Sequence, residues 1–128
     1  MIAVDTNLVV RFLVRDDEDQ HQRAKAVMAS GVWIANTVML ETEWVLRGVY
    51  RIPQDRLLPA LEDLAGLPSV RLESPDRIRQ ALNDARSGLD FADALHLAAA
   101  SDCEAFVTFD KRLVQAAGRR EGLPVREP

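Results

Sequence analysis

A chain of 128 residues, 48% hydrophobic and 28% charged, has the composition of one soluble globular domain and excludes a disordered or collagen-like chain. Acid exceeds base, 20 Asp+Glu against 16 Lys+Arg, and a net charge of −4 argues against a general nucleic-acid-binding surface. Cys103 is the only cysteine, which removes intramolecular disulfides and thiolate zinc cages. No apolar stretch is long enough to span a bilayer and no leader precedes Asp5, so the expected setting is the cytoplasm.

Ile2-Ala3-Val4 predicts a buried strand, central because the chain begins on it, and Asp5-Thr6-Asn7 punctuates it as a turn or helix cap. A helix over Leu8 to Val14, the acidic patch Asp16-Asp17-Glu18-Asp19 and a second helix over Gln20 to Ala29 follow, stopped by Ser30-Gly31. Val32-Trp33-Ile34-Ala35 reads as a second strand, and Asn36 or Thr37 can cap a helix that runs to about Tyr50. After Pro53, a helical stripe of Leu57, Leu58, Leu61 and Leu64 ends at Gly66. Val70-Arg71-Leu72 is a third strand, and Ser74-Pro75 opens a helix to about Arg86. Asp90 to Ser101 reads as an Ala-rich helix, Ala105 to Phe109 as a fourth strand, and Asp110-Lys111-Arg112 opens a last helix that Gly122 closes. Val125 fits a short edge strand. Strands alternating with helices predict a three-layer α/β/α sandwich with a central parallel sheet, one domain over residues 1–128.

In such a sheet chemistry collects at the carboxyl ends of the strands. Asp5 ends the first strand and Asp110 the fourth, and pairing of those two strands would bring both acids to one edge. Each also reads as a plain helix N-cap. On the helix after Thr37, Val38, Val45 and Val49 define a buried stripe; at about 100° per residue Glu41 lies roughly 60° from its centre and Glu43 roughly 140° away. Glu43, with Arg47 at i+4, then reads as a surface ion pair, and Glu41 as a carboxylate beside the apolar face. Asp90 and Asp93 fit an N-cap and its partner three residues on, with Asp93 facing inward among Phe91, Ala94, Leu97 and Ala98. Four converging carboxylates, Asp5, Glu41, Asp93 and Asp110, need a divalent cation, and oxygen-only ligands favour Mg²⁺ or Mn²⁺. The patch at Asp16 to Asp19 lacks the alternation and central Gly of a calcium loop.

Val4-Asp5-Thr6-Asn7, Val38 through Arg47, Asp90-Phe91-Ala92-Asp93-Ala94-Leu95-His96 and Thr108-Phe109-Asp110-Lys111-Arg112-Leu113, in that order, resemble a PIN domain of the VapC-like toxins of toxin–antitoxin pairs. The resemblance implies a Mg²⁺-dependent endoribonuclease in which Asp5, Glu41, Asp93 and Asp110 form the acidic quartet. Thr6 and Asn7 match the polar pair that orients the carboxylates, and Asp90 is an additional acid acting as a cap or outer support. It further implies an RNA substrate, a homodimer, and a small VapB-like antitoxin that wraps the toxin and inserts a basic side chain near the acidic pocket. The stripe Leu57, Leu58, Leu61, Leu64 or the segment Val45-Leu46-Val49-Tyr50 could serve that contact or be ordinary core.

His96, three residues after Asp93, could approach substrate, although a lone helical histidine is more often structural. Arg11, Arg15, Lys111 and Arg112 flank the acidic blocks and could grip phosphates or be solvated surface charges. Two other function classes compete. A haloacid-dehalogenase-like phosphatase also places an Asp after an early strand, but Asn7 stands where its second Asp belongs. A non-catalytic interaction domain would use the acids only as helix caps. Setting the quartet aside leaves 16 acids against 16 Lys+Arg, so the acid excess equals the proposed metal cage.

Overall fold

A computed structural model describes residues 1–128, which form two compact units, Met1–Pro75 and Asp76–Pro128. The first unit holds β1 (Ile2–Ala3), α1 (Thr6–Leu13), α2 (Glu18–Ala29), β2 (Val32–Ile34), α3 (Asn36–Gly48), α4 (Gln54–Ala65) and β3 (Val70–Leu72). Its three strands are parallel in the order β1-β2-β3, pairing Ile2 with Val32 and Ala3 with Trp33, and Val32, Trp33 and Ile34 with Val70, Arg71 and Leu72. Parallel neighbours need crossovers, and two helices supply each one, α1 and α2 before β2, α3 and α4 before β3. β2 is therefore the central strand. β1, expected to be buried and central, is an edge, and Ile2 remains 55% exposed.

The core of this unit is built from Val9 and Val10 of α1, Met28 of α2, Val32 and Ile34 of β2, and Met39 and Leu46 of α3. The α4 stripe Leu57, Leu58, Leu61 and Leu64 is fully part of it, at 4% exposure or less. Those leucines are core and offer no surface to a partner. Gly31, at φ 97°, makes the turn between α2 and β2 that an L side chain would strain, as the Ser30-Gly31 stop signal predicts.

Aspartates define two helix starts here. Asp5 caps α1 by accepting the Leu8 N–H at 3.0 Å, and Asp17 caps α2 by accepting the Gln20 N–H at 3.0 Å. The helices consequently begin at Thr6 and Glu18, each two residues earlier than apolar periodicity suggests, because a cap sets the start and the first turn needs no apolar residue. α3 differs. Its cap position is Ala35, which has no side-chain acceptor, and neither Asn36 nor Thr37 caps it. Glu73, just past β3, supplies the acceptor instead, taking the Asn36 N–H at 2.9 Å, while the Asn36 amide donates to Ser74 Oγ at 3.1 Å.

The second unit holds α5 (Pro75–Arg86), whose first residue closes the preceding unit, then α6 (Phe91–Ala99), β4 (Phe106–Val107), α7 (Lys111–Ala117) and β5 (Val125–Arg126). β4 pairs in parallel with β5, Phe106 with Val125 and Val107 with Arg126. The ladder partner of β4 is thus the carboxyl-terminal strand, not β1 as expected from the sequence. α7 ends at Ala117 with Gly118 as its cap, short of Gly122, which takes φ 118° in the following turn. Ile78, Ala81, Leu82 and Ala85 of α5 and Phe91, Ala94, Leu97 and Ala98 of α6 form this unit's core. Arg120 donates to Asp84 at 3.0 Å and ties the segment after α7 to α5. The architecture is helix-rich α/β with parallel strands throughout, and no helix is long and apolar enough to cross a membrane.

The borrowed cap on α3 makes a specific demand on Glu73. Glu73→Ala leaves the first helical N–H without its acceptor and is expected to lower stability by about 1 kcal/mol, whereas Glu73→Gln keeps an oxygen in place and loses less. Urea denaturation reads both, and equal midpoints for the wild type and the Ala variant would contradict the cap.

Candidate active site

Asp5 stands where β1 runs into α1, exposed, with backbone in the extended region and one carboxylate oxygen held by the Leu8 N–H. Its other oxygen takes no hydrogen bond from the protein. Thr6, the first residue of α1, is buried, and its hydroxyl donates to Glu41 Oε1 at 2.5 Å. α1 packs on α3, which is how a residue at position 6 reaches one at position 41. Asp5, Thr6, Asn7 and Glu41 all line a cleft of about 450 Å³.

The reason Glu41 faces this cleft differs from the one the helical wheel suggests. The buried face of α3 is Met39, Thr42, Glu43 and Leu46, and Glu43 is only 4% exposed. Arg47 makes that burial tolerable by donating from Nε at 2.8 Å and from Nη2 at 3.3 Å to the two carboxylate oxygens. Glu43 is therefore a buried carboxylate whose partner Arg47 remains exposed, not a surface pair solvated on both sides. The stripe Val38, Val45, Val49 exists as a face, but it lines the cleft instead of the core, and Glu41 lies on it. The missed signal is the i, i+3, i+4, i+7 series Met39, Thr42, Glu43, Leu46, which a reading that excludes charge from buried stripes passes over.

The second unit has its own acidic cleft of about 340 Å³, lined by Gly88, Asp90, Asp93, Asp110 and Arg112 among others. Asp90 caps α6 by accepting the Asp93 N–H at 3.2 Å, as the sequence predicts. Asp110 caps α7 with a single oxygen that accepts the N–H groups of Arg112 at 3.0 Å and Leu113 at 3.2 Å, and Thr108 Oγ1 accepts the Asp110 N–H at 3.0 Å. Asp93 is half-buried and caps nothing. Burial raises its carboxyl pKa above the ordinary aspartate value, the negative charges of Asp90 and Asp110 raise it further, and His96 opposes them. His96 itself is exposed, so it is not a core histidine.

Of the four acids expected to converge, Asp5 and Glu41 share the first cleft and Asp93 and Asp110 share the second, the latter with Asp90. In neither do three His, Cys, Asp or Glu side chains close into a ready metal cage. Among the candidate phosphate-gripping cations, Arg112 lines the second cleft. Arg11 is engaged with Asp16 and Tyr50, and Arg15 with Glu18. Val45, Val49 and Tyr50 also line the first cleft, a segment for which the sequence offered either a partner contact or ordinary core.

The raised pKa of Asp93 has a signed consequence. The folded chain holds that proton more tightly than the unfolded one, so the carboxyl's contribution to stability is full below the unfolded value near 3.8 and is lost as pH rises through the folded value. In metal-free buffer at pH 7, Asp93→Asn is expected to raise the melting temperature by roughly 1–3 °C, with no gain at pH 3. A thermal melt at the two pH values checks this, and a lower melting temperature for the variant at pH 7 would contradict it.

The family model of the PIN domain matches residues 2–119. Among solved structures, the VapC20 toxin of Mycobacterium tuberculosis, which cleaves the sarcin–ricin loop, is similar at 25% identity over 92% of this chain and 95% of that one, with a TM-score of 0.44. No curated protein matches the sequence. The family match takes in both clefts and every acid that lines them, and the chain belongs to the PIN domain family.

Proposed function

We propose that this PIN-family nuclease is a divalent-metal-dependent endoribonuclease, the toxin of a toxin–antitoxin pair, acting in the cytoplasm as one nuclease domain over residues 1–128. The observation that carries the reading is the first cleft, which Asp5 and Glu41 both line, exposed and held by contacts that leave carboxylate oxygen open. The donor set fits a hard cation. All its candidate ligands are carboxylate oxygens, and in the second cleft burial first and then the charges of Asp90 and Asp110 push Asp93 toward its protonated form; a cation relieves the repulsion among the three.

Mg²⁺ or Mn²⁺ would be held by carboxylates of the expected quartet, Asp5 and Glu41 in the first cleft and Asp93 and Asp110 in the second. When bound, the ion supplies charge neutralisation at the phosphate and makes the attacking water more acidic. Thr6 fixes the Glu41 carboxylate with a directed hydrogen bond, and the α1 and α7 amino-terminal N–H groups fix Asp5 and Asp110, so three of the four acids are oriented before substrate arrives. Arg112, an exposed residue lining the second cleft, would meet a phosphate oxygen. Hydrolysis forms a bond from water oxygen to phosphorus as the phosphorus–O3′ bond breaks, leaving 5′-phosphate and 3′-hydroxyl ends.

The toxin role, the VapB-like antitoxin and the homodimer rest on the four sequence blocks that resemble VapC-like proteins. The reading of the acids as caps alone accounts for Asp5, Asp90 and Asp110 but leaves Glu41 and Asp93, which cap no helix, without a role.

Asparagine caps helices as well as aspartate does, so Asp5→Asn and Asp110→Asn remove charge while keeping both helix starts. Each is expected to cut RNA cleavage by ~100-fold or more with an unchanged melting curve, and chelation of divalent cations to abolish the wild-type activity. Thr6→Val, which loses only the orienting hydroxyl, is expected to cost about 10- to 100-fold. Cleavage of a labelled RNA pool measures all four; activity that survives chelation or Asp5→Asn in a clean preparation sinks the assignment.

A further inference from the structure

The cleft that presents Asp5 and Glu41 also has an apolar part. Val45 and Val49 follow Glu41 at four-residue steps on the same face of α3 and its cap, and Tyr50 lines the cleft beside them. Val49 is 61% exposed, an apolar surface that faces water directly beside two carboxylates. The core does not require a tyrosine there, because the Tyr50 hydroxyl is engaged outside it. It donates to Asp16 Oδ2 at 3.1 Å and accepts from Arg11 Nη1 at 3.3 Å, and Arg11 Nη1 reaches Asp16 Oδ1 at 2.9 Å and Oδ2 at 3.1 Å. Each of the three groups holds the other two, so the ring is fixed before any ligand arrives. The backbone is committed as well. Arg51 follows at φ 55°, a left-handed conformation unusual for a residue with a side chain, and Ile52 N–H returns to the Leu46 carbonyl at 3.0 Å.

We propose that Tyr50, with Val49 and Val45 beside it, is the stacking site for an unpaired RNA nucleobase next to the phosphate that is cut. The proposal rests on the nuclease reading and gives it a substrate contact. A nucleotide has an anionic backbone and an apolar, flat base a short distance apart. The cleft offers the same two chemistries, carboxylates that take phosphate through a cation and an apolar part with an aromatic ring set in place. Single-stranded RNA is held in this manner, by bases stacked on fixed aromatic side chains. A ring locked by two hydrogen bonds loses little freedom on binding, which favours it over a mobile side chain as a platform. The cleft volume of about 450 Å³ lies within the range of ligand sites, roughly 300–1,000 Å³.

The test uses the full chain and a mixed-sequence single-stranded oligoribonucleotide carrying 2-aminopurine at successive positions, with Ca²⁺ in place of Mg²⁺ for binding and Mg²⁺ for cleavage. Stacking predicts fluorescence quenching at one position and binding weakened by roughly 5- to 100-fold in Tyr50→Ala, with the quench lost. Tyr50→Phe keeps the ring and is expected to keep the quench. Removing the base at that position should weaken the wild type by the same factor and leave Tyr50→Ala unaffected. Quenching that persists in a folded Tyr50→Ala, or equal losses from base removal in both proteins, overturns the stacking site even if Mg²⁺-dependent cleavage is intact. Tyr50-dependent quenching without cleavage in Mg²⁺ supports the stacking site and contradicts the nuclease reading. If Val49→Asp and Tyr50→Ala leave RNA binding unchanged but convert a dimer to a monomer in sedimentation, the apolar part belongs to a second copy of the chain and the proposal falls.

Discussion

An aspartate oxygen that accepts a free N–H at the start of a helix recurs at Asp5, Asp17, Asp90 and Asp110, and the candidate site is built on three of these four contacts. Such a cap contributes about 1 kcal/mol and places a negative charge at the positive end of the helix dipole. It also fixes the carboxylate's position while leaving it at the surface. Asp5 and Asp110 each use one oxygen for the cap and present the other unbonded, so the contact that starts the helix also aims an acid outward. On the proposed reading, folding and chemistry draw on the same group. An Asp→Ala change at either position confuses the two effects, and Asp→Asn separates them.

Much of this was legible because caps and glycine turns are local. Asp5, Asp90, Asp110, Ser30-Gly31 and Pro75 announce element boundaries within three or four residues, and the structure places those boundaries where the signals stand. The non-local features were not legible. Nothing in Ile2-Ala3-Val4 says which strand will lie beside it, and β1 takes an edge of its sheet while β4 pairs with Val125–Arg126. The Glu73 cap on α3 spans 37 residues, and no sequence window contains both groups.

α3 shows how a wrong premise and a right assignment can coexist. Its segment Val38-Met39-Leu40 through Trp44-Val45-Leu46 is apolar on most sides, so hydrophobicity alone does not choose the face that turns inward. The ion pair chooses it. With Arg47 one turn on, Glu43 can be buried beside Met39 and Leu46, and a residue two positions before it on a helix lies about 200° round the axis. Burying Glu43 therefore turns Glu41 to the opposite side, together with Val38 and Val45, where Thr6 meets it. Glu41 is in the cleft because its neighbour is in the core, and the valines that looked like core are the cleft's own wall.

The distribution of charge follows from the same pairing. The patch at residues 16–19 is spoken for: Asp16 by Arg11 and Tyr50, Asp17 by the α2 amino terminus, Asp19 by Arg23, and Glu18 by Arg15 and Gln22, which hold its carboxyl down to about 2. Asp76 and Asp84 are likewise matched by Arg79 and Arg120. The chain as a whole carries a net charge of −4, so an approaching RNA meets no overall basic excess. Long-range attraction of phosphate, the usual source of nucleic-acid affinity, is then weak. On the proposed reading, affinity must come at short range, from the cation that bridges carboxylate to phosphate and from the apolar part of the cleft that Tyr50 lines.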